Sequence, residues 1–107
     1  MVTYDLIITD YALDELHAEI IYHRLNTSEF FASRMKMEFM NAVDSIFPNP
    51  YIYPECRFLP TKTQIYRNII WGNYLIIYRI RRDSVEVLSL FHTKQKPAKA
   101  RQVRGRK

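Results

Sequence analysis

A single cysteine, Cys56, stands among 107 residues, which excludes an internal disulfide and any zinc site built on paired cysteines. Such a chain suits a reducing cytoplasm, with Cys56 as a small buried or loop thiol. Glycine is almost as scarce. There are two, against 48% hydrophobic and 14% aromatic residues, so there is little material for a flexible linker and most of the chain is expected to fold. No apolar run reaches the roughly 20 residues that span a bilayer. The opening MVTYDLIITD lacks the basic start and apolar core of a secretory signal. Neither secretion nor membrane insertion is expected. Gly-rich phosphate loops, a Ser-His-Asp order and paired active-site carboxylates are missing too. His17 and His23 lie six apart, on roughly opposite sides of a helix, so they cannot share a metal and are read as surface residues. No metal and no cofactor are expected.

Acidic residues are missing from one region in particular. From residue 94 onward the chain carries Lys94, Lys96, Lys99, Arg101, Arg104, Arg106 and Lys107 and no acid, seven of its sixteen basic residues. The preceding residues keep nine Lys and Arg against eleven Asp and Glu, so the net +5 is a property of the tail. A basic run of this kind can follow phosphates through counterion release, or it can be a solvated end. The length suits one domain. The expected division is a folded unit over residues 1–97 and a basic tail over 98–107 that supplies almost nothing apolar to the core, so that its removal leaves the domain folded.

Residues 2–9 alternate as a strand does, with Tyr4, Leu6 and Ile8 on one side. Thr9 or Asp10 can cap a helix in which Ala12, Leu16 and Ile20 recur four apart, running to about Leu25. The polar break at Asn26, Thr27 and Ser28 precedes a second helix with Ala32, Met35, Phe39, Ala42 and Ile46 in a 4,3 rhythm, ending before Pro48. Two helices so closely joined form an antiparallel hairpin whose apolar face needs a sheet. The methionines Met35, Met37 and Met40 read as core filler, and Asp14, Glu15 and Glu19 as a solvated acidic face. Pro48, Pro50, Pro54 and Pro60 mark residues 48–64 as an ordered loop. Three strands in a meander follow, turning at Gly72–Asn73 and at Arg82–Asp83. The middle one, apolar at nearly every position from Tyr74 to Ile80, belongs inside the sheet. The fold class is α+β, in the order β-α-α-β-β-β, with the helical hairpin packed on a mainly antiparallel four-stranded sheet.

Several words along this order are those of a known family: Ala12 and Leu16 in A-x-x-x-L, Asn49-Pro50 after the second helix, Tyr66-Arg67, GNYLIIYRI from Gly72 to Ile80, and FHTKQKP from Phe91 to Pro97. In order and at this spacing, over roughly residues 4–97, the chain resembles the RelE/ParE superfamily of toxins from bacterial type II toxin-antitoxin systems, which include plasmid stabilisation proteins. The resemblance implies a cytoplasmic growth-arrest toxin silenced by a cognate antitoxin protein. It implies one of two targets: DNA gyrase, poisoned without hydrolysis as in the ParE-like branch, or ribosome-bound mRNA, cleaved as in the RelE-like branch. It says nothing of oligomeric state. A non-toxic nucleic-acid-binding module resting on the tail alone leaves these words unexplained.

A metal-independent endoribonuclease must gather phosphate-binding cations, an acid or base, and a group that orients the ribose 2′-OH. For that branch the catalytic candidates are His92, Arg67 and Lys62. For partner or nucleic-acid binding they are Arg67, Tyr78, Lys94, Lys96, Lys99, Arg101 and Arg104. Turns at Gly72 and Arg82 set registers that test this grouping. They pair Arg67 with Tyr78, Arg79 with Glu86, Tyr78 with Val87 and Ile77 with Leu88. Arg79 then has a carboxylate partner. Continued without interruption, the register puts Phe91 on the face of Arg67 and His92 on the opposite face; a β-bulge would release His92 from that constraint. Between a structural histidine that closes the strand and a general acid, the sequence leaves both open. The expected antitoxin segment is extended or helical, acidic, and laid across sheet and helices toward the tail.

Overall fold

The structure is a computed structural model that describes residues 3–106. Met1, Val2 and Lys107 lie outside the described residues, Val2 having been assigned to the first strand and Lys107 to the basic tail. The elements are β1 (Asp5–Ile8), α1 (Asp10–Asn26), α2 (Glu29–Asp44), β2 (Tyr66–Trp71), β3 (Tyr74–Ile80), β4 (Ser84–His92) and α3 (Pro97–Arg101). The four strands form one sheet in the order β1-β4-β3-β2, with β1 parallel to β4 and the other neighbours antiparallel. The α+β architecture is as expected, and β3 is central and buried at every position.

Both helices begin where a hydroxyl can accept from a free N–H. Thr9 Oγ1 accepts from the Ala12 N–H at 3.2 Å and donates to the Val87 carbonyl at 2.9 Å, which ties the start of α1 to β4. Ser28 Oγ accepts from the Phe31 N–H at 3.0 Å at the start of α2. From there, side chains three and four apart form one apolar face. Ala12, Leu16, Met35, Phe39, Val43 and Ile46 are fully buried against Ile76, Tyr78, Val85 and Val87. Removing the Phe39 ring from this layer would cost about 3–5 kcal/mol, as large-to-small core changes do. The methionines divide, Met35 entering the core and Met37 standing exposed.

The other sheet face is covered as well, and here the structure departs from expectation. Cys56 and Leu59 from the proline-rich segment, and Ala100 and Val103 from the tail, bury against Tyr66, Leu75, Ile77, Leu88 and Phe91. Residues 98–106 are therefore not a solvated end. Pro97 occupies the first turn of α3, where its missing N–H costs nothing. Ala100 and Val103, three apart, present one small apolar face, and two such residues suffice because the sheet beneath them is otherwise open. Burial also pushes the Cys56 thiol pKa above its ordinary value.

The proline-rich segment is ordered, with a 3-10 turn at Pro50–Ile52 and a cis bond before Pro48. The Cys56 N–H donates to the Tyr66 carbonyl at 2.8 Å and the Asn68 N–H to the Pro54 carbonyl at 3.1 Å, covering half of the outer edge of β2. Gly72 takes φ +58° in the first hairpin turn, a conformation glycine adopts without a Cβ penalty. The resulting pairs include Arg67 with Tyr78, Arg79 with Glu86 and Tyr78 with Val87, as the turns predict.

The expected pair of Ile77 with Leu88 does not form. Ile77 faces Ser89 instead, so Leu88 is an extra residue in β4. This bulge inverts side-chain parity downstream. Phe91 pairs with Leu75 on the tail-covered face, and His92 pairs with Tyr74 on the helix-covered face, the reverse of the uninterrupted register. The pairing of β1 with β4 ends at Ile8 and Val87, leaving the next part of β4 an open edge. Side chains close it: Glu15 accepts from the Leu90 N–H at 3.3 Å, and Arg106 donates to the Leu88 carbonyl at 3.0 Å. Glu15 and Arg106 join at 2.7 Å. Glu15 thus belongs to no solvated acidic face.

Candidate functional site

The nuclease candidates divide into two groups at opposite ends of β3. At one end, Arg67 directs Nε and Nη1 toward the proline-rich segment. Its Nε donates to the Gln64 carbonyl at 2.9 Å, and its Nη1 to the carbonyls of Tyr53 at 2.9 Å and Tyr51 at 3.3 Å. The guanidinium lies 5.1 Å from the Tyr51 ring centroid. Arg67 therefore staples the proline-rich segment to β2. Tyr78 beside it is fully buried, with its hydroxyl donating to the Pro50 carbonyl at 2.6 Å. Burial pushes the Tyr78 pKa up, against an opposing pull from Arg67. No surface of Tyr78 remains for a partner. Lys62 is exposed on the loop that leads into β2.

At the other end, the bulge brings His92 to the same face as Arg67 but not to its neighbourhood. Their β3 partners, Tyr74 and Tyr78, are four positions apart, about 13 Å along a strand. The His92 Nδ1 accepts from the Lys94 N–H at 3.1 Å, so the neutral ring carries its proton on Nε2. The ring meets Tyr74 edge-on at 5.0 Å.

Tyr74 is the centre of a hydrogen-bonded chain that the sequence did not reveal. Its hydroxyl donates to Glu19 Oε2 at 2.9 Å and lies 2.8 Å from His23 Nε2. Because the phenol proton goes to Glu19, His23 donates through Nε2, and its Nδ1 lies 3.1 Å from the Thr27 hydroxyl. The side chain of His23 is only 17% exposed, so it is not the surface residue expected. Its position continues the row of Leu16 and Ile20, the signal that could have placed it inward. Burial, followed by the Glu19 carboxylate, raises the Tyr74 pKa, so the phenol remains a proton-bearing donor and not a nucleophile. The chain docks the C-terminal half of α1 onto the sheet.

Cations gather on the surface formed by the end of β4 and by α3. Lys94, Lys96, Lys99 and Arg101 are exposed and make no salt bridge among the described residues. Arg104 is tethered, donating to the Pro60 carbonyl at 3.2 Å and lying 5.6 Å from the Tyr66 ring centroid. Arg79 pairs with Glu86 at 2.7 Å, as strand register predicts, and Arg81 joins the same carboxylate at 2.9 Å. No helix among the described residues is long and apolar enough to cross a membrane.

Comparison with known proteins bears on this arrangement. No curated protein matches the sequence significantly. A solved structure described as the chromosomal ParDE TA system from P. aeruginosa superposes with a TM-score of 0.72 over 86% of this chain and 98% of that one, at 12% identity. That likeness concerns the fold. The sequence itself matches the family described as the ParE toxin of type II toxin-antitoxin system, parDE, over residues 6–97. On that match, which takes in α1, α2 and all of the sheet except Asp5, the chain belongs to the ParE toxin family.

Proposed function

We propose that this chain is a growth-arrest toxin that acts on DNA gyrase in the bacterial cytoplasm and is silenced by a cognate antitoxin. Family membership supports the toxin and its antitoxin partner. The observation that favours gyrase over mRNA is the use to which Arg67 is put. Its Nε and Nη1 N–H groups go to three backbone carbonyls, while His92 lies four strand positions away against Tyr74. A phosphate-holding cation and a proton-transfer group are thus not brought to one reacting atom, as metal-independent RNA cleavage requires. Poisoning a large enzyme by binding needs no such convergence. It needs a rigid body with a charged surface, and Lys94, Lys96, Lys99 and Arg101 form one.

The test is to incubate purified protein with gyrase and relaxed DNA, and separately with translating ribosomes carrying a defined mRNA. Loss of supercoiling or accumulation of cleaved DNA, with intact mRNA, is the expected result. Cut mRNA together with unimpaired gyrase would overturn the reading in favour of the RelE-like alternative.

A further inference from the structure

The bulge in β4 leaves one polar group without an internal partner. Ser89 is 1% exposed, and its Oγ makes no hydrogen bond among the described residues. A buried hydroxyl in that state is unfavourable unless something meets it. Ser89 lines a cavity of about 240 Å³ between β4, α1 and the C-terminal segment, together with Glu15, Gln95, Lys99, Gln102 and Arg106. The cavity exists because β1 stops at Ile8, opposite Val87, so that no strand covers the next part of β4.

Its chemistry is mainly that of a donor. Ser89 offers a hydroxyl, Gln95 and Gln102 offer amides, and Lys99 offers an ammonium group that forms no salt bridge among the described residues. Arg106 spends Nη1 on Glu15 and Leu88, and Nη2 on Glu15, while its Nε makes no hydrogen bond among the described residues. Two cations against one carboxylate leave one unmatched positive charge. We propose that this cavity binds a small oxyanion, a carboxylate or a phosphate, with Lys99 supplying the charge and Ser89 donating a hydrogen bond to one anionic oxygen. The anion is either free in solution or a carboxylate carried by another protein.

The full-length protein, labelled with ¹⁵N, is titrated with sodium phosphate, sodium acetate and an N-acetylated tetraglutamate peptide, each against sodium chloride at matched ionic strength. The expected result is saturable movement of the amide signals of Ser89, Gln95, Lys99 and Gln102 with at least one probe, and no saturation with chloride. Saturation by phosphate or acetate identifies a free anion; saturation by the peptide alone identifies a partner's carboxylate. Lys99→Gln, at an exposed position, and Ser89→Ala should each weaken that binding about tenfold, as loss of a hydrogen bond to a charged group does, with the dispersed native spectrum retained. Linear shifts in every titration, or saturation unaffected by Lys99→Gln, would mean that only water meets Ser89 and would overturn the proposal.

Discussion

At the residue scale, two arginines of similar sequence context do different work, and stability separates them. Arg67 satisfies loop carbonyls that water could partly reach, so Arg67→Ala should cost about 1–2 kcal/mol, the loss of a few modest hydrogen bonds. On the proposed gyrase reading, in which Arg67 has no chemical role, inhibition by Arg67→Ala should fall only as far as the folded fraction does; urea unfolding and a supercoiling assay on the same preparation check this. Arg79 is deeper and paired. Glu86, held by Arg81 and Arg79, has its pKa lowered despite the opposing effect of burial. A carboxylate with a depressed folded pKa contributes stability above its unfolded value, near 4.3, and loses it as pH falls through the folded one. Glu86→Gln should therefore cost about 3 kcal/mol at pH 7, toward the lower end for breaking a buried pair. The gap from the parent protein should stay flat at higher pH and close below about pH 4. A gap that persists to pH 2 in denaturant titrations would contradict that account.

At the element scale, the C-terminal segment behaves as part of the fold. Val103 is 1% exposed in the layer formed with Leu75, Leu88 and Phe91. Val103→Ala should cost about 2 kcal/mol through lost burial and the cavity left behind. Truncation after Pro97 should do more, since it also removes Ala100 and the Arg106 contacts to Glu15 and Leu88. The check is thermal unfolding of both variants; a truncated protein with an unchanged midpoint would show the segment to be dispensable. The bulge at Leu88 is the second decisive element. It leaves Leu88 on the tail-covered face and moves Leu90 and His92 to the helix-covered one, and a single extra residue accomplishes this because side-chain direction in a strand has period two.

At the scale of the whole molecule, the basic surface should govern how an acidic partner approaches. Lys94, Lys96, Lys99 and Arg101 are exposed and make no salt bridge among the described residues, so their attraction is screened over about 10 Å at ordinary ionic strength. Replacing these four with glutamine, which leaves Ala100 and Val103 in place, should flatten the dependence of antitoxin affinity on salt without lowering thermal stability. Affinities measured across a salt series would test it. An unchanged slope would place the antitoxin elsewhere on the molecule.

Much of the fold was legible in the chain because the relevant physics is local. Thr9 and Ser28 as caps, the apolar spacing of Ala12, Leu16, Met35 and Phe39, and the turn at Gly72 depend on near neighbours, and together they determined the helical hairpin, the meander and the pairs Arg67–Tyr78 and Arg79–Glu86. The remainder depended on contacts distant in sequence. Nothing in residues 84–92 announces a bulge, since Leu90 and Phe91 could each face either apolar layer; the choice was made by packing on both sides of the sheet and by Glu15 and Arg106 closing its open edge. The parallel placement of β1 beside β4, the capture of Ala100 and Val103, the inward turn of His23 toward Tyr74 and the engagement of Arg67 by three carbonyls arise in the same way. Local sequence determined which elements form, and only the assembled tertiary structure decided which polar side chains remained available for chemistry, because a donor's partners are set by what folds against it.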